Sequence, residues 1–315
     1  MKIVLLDTAT LGEDLDLSPI PSRGDAVEYE NTAPDQIAER LKDANVAVLN
    51  KLKLNRSNLS EAKDLKLICV AATGYDNIDT AYCREHGIAL CNVPGYSTDS
   101  VAQITLAMAL SLVSHLNEYN SFVHSGDYTA SGIANKLTPI YHEISSMTWG
   151  IVGGGAIGSG VARVAEAMGA KVLVCRRKPD DRYEQVDIDE LCCRSDIISL
   201  HVPLTDDTRS MINRERIAKM KRGAILINVA RGAVTDEQAL ADAVESGHLG
   251  GLGVDVYSKE PFGADHPFSR LLGYENVCLT PHMAWGSAES RARCVKTMAE
   301  NIRAFYADNP QNRIV

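Results

Sequence analysis

A glycine-rich turn between two apolar strands constrains this chain more than any other stretch. Residues 148–178 read TWGIVGGGAIGSGVARVAEAMGAKVLVCRRK. A short apolar run ends at Gly153, a helix with apolar residues at 161, 164, 165 and 168 follows, and a second buried run completes the unit. Because the turn also has the spacing GxGxxG, the segment predicts a strand–turn–helix–strand unit that binds a dinucleotide.

The glycines of this turn have separate tasks. Gly153 permits the tight turn, Gly155 lets the backbone approach a pyrophosphate, and Gly158 lets helix and strand pack closely. With Ala156 and Ile157 they begin a helix whose unpaired N–H groups and dipole favour an anion. The alternative is a glycine-rich turn that serves packing alone.

Three basic residues follow the second strand, at Arg176, Arg177 and Lys178. An NAD site usually has Asp or Glu here, which accepts hydrogen bonds from the ribose 2′-hydroxyl. Arginine instead suits a 2′-phosphate, because its guanidinium forms charge-assisted paired bonds. The cluster therefore favours NADP(H). The alternative is a solvated loop beside a site for NAD(H).

The bulk properties narrow the class of protein. At 315 residues the chain is long enough for two domains, and a net charge of −9 argues against a general nucleic-acid or membrane-surface partner. Four consecutive apolar residues after Met1-Lys2 are too few for a signal peptide, so we expect a cytoplasmic protein. The spacing of the cysteines predicts buried, reduced thiols and no metal site. The eight cysteines are Cys69, Cys83, Cys91, Cys175, Cys192, Cys193, Cys278 and Cys294.

Apolar runs alternate with helical patterns in two blocks. The first block has predicted strands at 2–6, 46–49, 67–70 and 88–91, with a helix at 33–44. The second has six, within the segments TWGIVG, KVLVC, DIISLHV, AILINVA, LGVDVY and VCLTPH. A long helix at about 99–117 lies between the blocks, and a last helix at about 287–310 is predicted to pack back on the first block. The alternation predicts an α/β protein with parallel sheets and helices on both faces.

Five further motifs occur in order along the chain: AATGYDNID, NVPGYSTDSVAQ, INVARGAVTDEQAL, LGVDVYSKEPF and LTPHMAW. Together they resemble the D-isomer-specific 2-hydroxyacid dehydrogenase family, most closely its hydroxypyruvate reductase and glycerate dehydrogenase branch. The resemblance implies two Rossmann-like domains with parallel sheets. The substrate domain would be built from both chain ends, 1–98 and 287–315, and the dinucleotide-binding domain from 99–286.

The resemblance places the catalytic residues at Arg231, Glu260 and His282. Their chemistry suits a 2-oxo acid. A guanidinium binds and orients the carboxylate, and an imidazolium donates a proton to the carbonyl oxygen once hydride reaches C2. A neighbouring carboxylate orients the imidazole and favours its charged form. Taken singly, each residue has another reading, as a surface arginine, a solvated loop acid and a structural histidine.

The resemblance also implies binding residues with less specific signals. Asp255 would bind the carboxamide of the nicotinamide, or be a turn acid, and Thr98 would lie near the nicotinamide, or cap the next helix. The backbone of His201 would lie near the adenosine. Further cofactor contacts are implied at Pro203, Thr208, Val229 and Ala230.

Substrate contacts are expected mainly from the first block. A turn at Thr73, Gly74 and Tyr75 would offer N–H groups to the substrate carboxylate, or be a β-turn without a ligand. Lys51 is either a further contact or a surface lysine, and Trp285 either closes the pocket or packs a turn.

The expected function is reduction of a small 2-oxo acid, with hydroxypyruvate or glyoxylate favoured over pyruvate or a branched or aromatic acid. Pocket shape decides among these, and spacing in the sequence does not reveal it. A dinucleotide-sensing protein like the corepressors that share this fold is the alternative from another class. The resemblance implies a homodimer, formed through the long helix and the segment HSGDYTASGIANKLTPIYHEISS after it.

Overall fold

The computed structural model describes residues 1–20, 25–178 and 181–315. The chain divides into two compact units. Unit 1 contains Met1–Ser97 and Trp285–Val315, and unit 2 contains Thr98–Ala284. Each unit has one parallel sheet, so the predicted α/β class is confirmed.

The described residues form twelve strands. In chain order they are β1 (Lys2–Leu5), β2 (Asp25–Glu28), β3 (Val46–Leu49), β4 (Leu67–Val70), β5 (Ala89–Cys91), β6 (Thr148–Val152), β7 (Lys171–Cys175), β8 (Glu184–Gln185), β9 (Ile197–Leu200), β10 (Ala224–Asn228), β11 (Leu249–Val254) and β12 (Val277–Leu279).

The described residues also form eleven α-helices. They are α1 (Ile37–Leu41), α2 (Arg56–Leu59), α3 (Thr80–Glu85), α4 (Thr98–Val113), α5 (Leu116–His124), α6 (Asp127–Ser131), α7 (Ala156–Ala167), α8 (Ile188–Arg194), α9 (Arg214–Lys219), α10 (Glu237–Glu245) and α11 (Ala288–Tyr306).

Unit 1 has a five-stranded sheet in the order β2-β1-β3-β4-β5. Alternate side chains of β1 belong to two different hydrophobic clusters. Ile3 and Leu5 lie in the cluster on one face of the sheet, and Val4 lies in the cluster on the other face. Both faces are therefore covered, as a parallel sheet requires. Helix α11 contributes Cys294, Val295, Met298, Ala299 and Ile302 to the first of these clusters, so the last helix does pack on the first block.

Unit 2 has a seven-stranded sheet in the order β12-β11-β10-β9-β6-β7-β8. The chain runs outward from β6 through β7 to β8, then returns to β9 and runs outward through β12. The strand order therefore reverses between β6 and β9. In open parallel sheets, ligands bind at the carboxyl ends of the strands beside such a reversal.

Some of the observed elements differ from the predicted ones. The edge strands β2 and β8 were not predicted, because they are short and mostly exposed and lack an apolar run. Strand β11 begins at Leu249 and ends before Asp255, whereas the sequence indicated LGVDVY, since the glycines at its start show no apolar pattern.

The predicted helix at 99–117 is two helices. Helix α4 ends at Val113, His115 has a φ of 49°, and α5 begins at Leu116. No single helix among the described residues has the length and hydropathy of a membrane span, and α4 and α5 reach these values only as a pair bent by 65°.

Candidate active site

The turn after β6 has the geometry that a pyrophosphate needs. Gly153 has a φ of 99°, a conformation that favours glycine, and a Cβ on Gly158 would lie 2.0 Å from the carbonyl oxygen of Gly153. Nothing lies within 4 Å of a Cβ placed on Gly155, so the backbone there faces open space. Gly155 precedes Ala156 and Ile157, the first residues of α7, and provides no side-chain cap. The N–H groups at this helix end therefore suit a phosphate.

Arg176 follows β7 and lies against the same turn. A Cβ on Gly154 would be 2.7 Å from Cδ and 2.9 Å from Nε of Arg176, so the guanidinium stem packs directly on the glycine backbone. Arg176 is half-buried, whereas Arg177 and Lys178 are exposed. The structure thus separates one arginine at the turn from two basic residues in solvent.

His201 follows β9, and its carbonyl oxygen would lie 2.6 Å from a Cβ on Gly153. Its Nε2 contacts the Ser199 hydroxyl at 2.9 Å, and its Nδ1 is buried without a partner among the described residues. Burial lowers the pKa of His201 to about 3, so the ring is neutral near pH 7 and unsuited to donate a proton.

The loop after His201 is held by its own side chains. The Thr208 hydroxyl donates to the carbonyl oxygen of Pro203 at 2.6 Å and accepts from the Thr205 N–H at 2.8 Å. Through its side chain, Thr208 therefore shapes this loop.

The segment after β10 carries Val229, Ala230 and Arg231. Asn228, 1% exposed, organises it: its side chain accepts from the Ala230 N–H at 3.0 Å and donates to the Arg231 carbonyl oxygen at 2.9 Å. The guanidinium of Arg231 donates to the Ala230 carbonyl oxygen at 2.8 Å. Asn228 was not predicted as a site residue, although it stands in the motif INVARG.

His282 and Glu260 form an acid–base pair at the carboxyl edge of the sheet in unit 2. Glu260 follows β11, His282 follows β12, and Nδ1 of the histidine lies 2.6 Å from Oε2 of the acid. Their side chains are 21% and 30% exposed. Because Nδ1 contacts the carboxylate, Nε2 is the ring nitrogen that can serve a reacting group. His282 has a φ of 53°, so its loop is turned sharply.

Asp255 anchors the loop that carries His282. One carboxylate oxygen accepts from the Thr280 hydroxyl at 2.6 Å and the Met283 N–H at 2.8 Å, and the other accepts from the Ala284 N–H at 3.0 Å. Burial raises the pKa of Asp255, and these hydrogen bonds oppose the rise. Asp255 therefore orders the loop, and its predicted contact with a carboxamide remains a prediction.

Two more residues that the sequence did not indicate hold the same loop. Ser100 in α4 donates its hydroxyl to the Ala284 carbonyl oxygen at 2.6 Å, and Tyr257 donates its hydroxyl to the Thr280 carbonyl oxygen at 2.9 Å. Thr98, the first residue of α4, lies one half-turn before Ser100. These contacts join residues far apart in the chain, and local patterns do not reveal them.

In unit 1, Lys51 follows β3 and the segment Thr73–Tyr75 follows the neighbouring β4, so both lie at the carboxyl edge of that sheet. Among the described residues, the N–H groups of Thr73, Gly74 and Tyr75 have no hydrogen-bond acceptor. Three consecutive free N–H groups suit an anion. The Thr73 hydroxyl donates to the Val93 carbonyl oxygen at 2.9 Å, which holds the segment in place.

The residues around Lys51 are held by a buried carboxylate. Asp7 accepts from the N–H groups of Asn50 at 2.9 Å and Lys51 at 2.7 Å. Trp285, in contrast, packs against the core of unit 1, with its ring 6.1 Å from that of Tyr96.

Among the described residues, no group of three or more His, Cys, Asp or Glu side chains is arranged to hold a metal ion. The eight cysteines are free thiols. Burial raises the pKa of Cys192 and Cys294 to about 12, so these thiols are poor nucleophiles.

At the carboxyl edge of the sheet in unit 2, the glycine-rich turn thus follows β6, and Glu260 and His282 follow β11 and β12. The family model described as "D-isomer specific 2-hydroxyacid dehydrogenase, NAD binding domain" matches residues 106–284. The chain belongs to this family. The predicted family and enzyme class are therefore confirmed, and the cofactor is a nicotinamide dinucleotide.

Full-length relatives share the family. A glycerate dehydrogenase of Methylorubrum extorquens is 38% identical, with 99% of this chain and 98% of the relative covered. A hydroxypyruvate reductase of Blautia hydrogenotrophica is 35% identical, with 99% of each chain covered. A solved D-lactate dehydrogenase of Aquifex aeolicus, in complex with NAD and lactic acid, has a TM-score of 0.87 at 31% identity and covers 98% of this chain and 96% of its own.

Proposed function

We propose that this dehydrogenase reduces a small 2-oxo acid, with hydroxypyruvate or glyoxylate favoured, to the D-2-hydroxy acid. The observation that carries the proposal is the 2.6 Å contact between His282 and Glu260. These residues follow β12 and β11, and Arg231 follows β10, the strand beside β11. The names of the two relatives support the choice of substrate. Unit 2 would be the dinucleotide-binding domain and unit 1 the substrate domain.

Each side chain has a distinct task in this mechanism. Arg231 binds the substrate carboxylate through paired N–H groups and thereby orients the carbonyl. When bound, the nicotinamide supplies the hydride that reduces C2. His282 donates the proton from Nε2 to the carbonyl oxygen, so that one hydride and one proton complete the alcohol. Glu260 orients the ring through its contact with Nδ1. In the reverse direction neutral His282 accepts the proton.

The residues that would hold the cofactor lie around the reversal of strand order. Backbone N–H groups of Gly155, Ala156 and Ile157 would bind the pyrophosphate, and the segments beginning at His201 and Val229 would flank the nucleotide. In unit 1, the N–H groups of Thr73–Tyr75 would bind a substrate carboxylate.

The function is tested by steady-state kinetics with hydroxypyruvate, glyoxylate, pyruvate, a branched and an aromatic 2-oxo acid, each with NADPH and NADH. We expect the highest kcat/KM with hydroxypyruvate or glyoxylate. Turnover of none of the five acids would contradict the enzyme function and favour a dinucleotide-sensing binding protein.

The cofactor preference is proposed to be for NADP(H). Its support is the position of Arg176, which packs on Gly154 within the phosphate-binding turn and follows β7, the strand whose end meets the adenosine ribose in this type of unit. A carboxylate at this position would repel a 2′-phosphate, whereas a guanidinium attracts it. NAD(H) is the alternative, because the related D-lactate dehydrogenase was solved with NAD.

Arg176→Asp is expected to raise KM for NADPH by about 10- to 100-fold and to leave KM for NADH within about 3-fold, because the substitution replaces a charge-assisted bond by repulsion. Lys171→Gln is the matched control, because it removes a cation from the other end of β7, where Lys171 pairs with Glu184. An equal change in KM for both cofactors would indicate that the basic cluster is a solvated loop.

The proposed homodimer rests on apolar side chains that unit 2 leaves in solvent. They lie in α5 and in the segment after α6, and are 56% to 77% exposed. They are Leu116, Val123, Ile133, Leu137, Ile140 and Tyr141. Monomeric proteins rarely expose so many large apolar groups in one segment, and a second copy of the chain would cover them.

Leu137→Asp with Ile140→Asp is expected to convert a dimer to a monomer in sedimentation equilibrium, because each introduces a charge into an apolar interface. Leu272→Asp is the control, since Leu272 is 63% exposed outside this segment. A wild-type monomer at micromolar concentration, or a dimer that survives both substitutions, would contradict the proposal.

A further inference from the structure

A buried acid lies behind the proposed catalytic residues. Glu237 is the first residue of α10 and is 9% exposed. A carboxylate is rarely buried in this way, because it loses its hydration and needs hydrogen bonds to compensate. Glu237 has no task in the proposed mechanism, so another role must explain its burial and its contacts.

Both oxygens of Glu237 accept hydrogen bonds from the segment that leads to Glu260. Oε1 accepts from the Ser258 N–H at 2.8 Å, and Oε2 accepts from the Ser258 hydroxyl. Oε2 also contacts Nε2 of His266 at 3.0 Å. One buried side chain thus holds Ser258 by two bonds.

His266 is fixed in the orientation that supports this acid. Its Nδ1 accepts from the Phe268 N–H at 3.2 Å, so Nε2 carries the proton and donates to Glu237. The ring is 8% exposed and packs among the rings of Tyr257, Phe262 and Phe268, with centroid distances of 4.9 to 6.0 Å. His266 therefore satisfies the buried carboxylate and limits its movement.

The bonds to Ser258 act on Glu260 through the adjacent residue. The Tyr257 N–H donates to Oε1 of Glu260 at 2.9 Å, while Oε2 of Glu260 lies 2.6 Å from Nδ1 of His282. A shift of the peptide between Tyr257 and Ser258 would consequently move the carboxylate that orients the histidine.

The same peptide also packs on the residue that follows Arg231. A Cβ on Gly232 would lie 2.1 Å from the carbonyl carbon of Tyr257 and 2.2 Å from the nitrogen of Ser258. The backbone beside Arg231 and the backbone before Glu260 are therefore in direct contact. Glu237 fixes the peptide on which both depend.

We infer that Glu237, supported by His266, is a positioning residue that holds the peptide 257–258 so that Glu260 engages His282. The inference deepens the proposed function and rests on it for its kinetic consequence. Glu237 acts through other residues, and its effect on turnover should therefore vanish when Glu260 is already neutral.

The test is a double-mutant cycle on kcat with hydroxypyruvate or glyoxylate, using Glu237→Gln, Glu260→Gln and the double variant. Glutamine keeps the volume but presents an NH₂ group where Oε2 accepted two bonds. We expect Glu237→Gln to lower kcat by about 10-fold, as outer hydrogen-bond partners commonly do. We expect kcat of the double variant to match that of Glu260→Gln, because both substitutions remove the orientation of His282 by Glu260.

Two further variants separate this role from a general structural one. Ser258→Ala removes one bond to Glu237 with little change in volume and should lower kcat less than Glu237→Gln does. Glu245→Gln is the matched control, because Glu245 lies on the same helix and pairs with Arg270 at the surface. It should leave kcat unchanged. Strictly additive losses in the double variant, or an unchanged kcat in Glu237→Gln, would overturn the inference.

A second readout does not depend on turnover. The ring signals of His282 can be followed by NMR at one fixed pH and assigned from their loss in His282→Gln. Glu260→Gln changes the group that contacts Nδ1 of His282 directly. We expect Glu237→Gln to change the chemical shifts of the His282 ring in the same direction, because it loosens the peptide that positions Glu260. Unchanged ring signals in Glu237→Gln would overturn the positioning role. Changed ring signals in a protein that reduces no 2-oxo acid would instead contradict the proposed function.

Discussion

His282→Gln is expected to lower kcat for reduction of the 2-oxo acid by about 10³-fold, within the range that general acids contribute. Glutamine retains the approximate size of the ring and a polar end, but it cannot donate a proton to an oxygen that gains negative charge. The loss should fall on kcat, because the proton transfer takes place in the transition state.

Cofactor binding gives the internal check for this variant. The glycine-rich turn lies after β6 and His282 after β12, at opposite sides of the reversal in strand order. We therefore expect the Kd for NADPH, measured by fluorescence titration, to stay within about 2-fold of wild type. His86→Gln is the control substitution, because His86 stacks on Tyr82 in unit 1 at a centroid distance of 3.9 Å. Turnover that survives in His282→Gln would remove this residue from the role of acid.

Arg231→Gln is expected to lower kcat/KM by about 10²- to 10³-fold, since truncating one partner of a hydrogen-bonded charge pair costs about 2–5 kcal/mol. Much of this loss should appear in KM, because the guanidinium binds the carboxylate before and during reaction. Arg231→Lys keeps the charge but loses the paired N–H geometry, so an intermediate loss is expected.

Competitive inhibition isolates the binding part of the effect. Oxalate carries the carboxylate but has no reducible ketone, and its inhibition constant should rise in parallel with KM. Arg214→Gln is the matched control, because Arg214 forms a surface pair with Asp242 at 2.7 Å and is 62% exposed. An inhibition constant for oxalate that is unchanged in Arg231→Gln would show that another group binds the carboxylate.

The strands that the sequence predicted best are those buried on both faces. Val46–Leu49 and Leu67–Val70 were predicted with the observed bounds, because every residue in them is apolar and enclosed. The edge strand Asp25–Glu28 was missed, since an exposed edge needs no such run. The break between α4 and α5 depends on one residue, His115, in a left-handed conformation that composition does not signal.

The residues of the site also differ in how far the sequence predicts them, because some depend on strand positions and others on long-range contacts. Parallel strands end at one edge of their sheet, so residues after β10, β11 and β12 lie near one another once the strands are known. Whether two side chains then touch depends on packing. The contact of Arg176 with Gly154 and the bonds from Glu237 to Ser258 join residues about twenty positions apart, and they required the structure.

The construction of unit 1 from both chain ends has a consequence for synthesis. Its core includes Ile3 and Leu5 near one end of the chain and Met298 and Ile302 near the other. Unit 2 is one continuous stretch, Thr98–Ala284, so all of its residues leave the ribosome before α11 does. Domains commonly fold in the order in which they are made. Unit 1 can therefore complete its core only after α11 has been made, although its strands are made first. Unit 2 has all of its residues before that point.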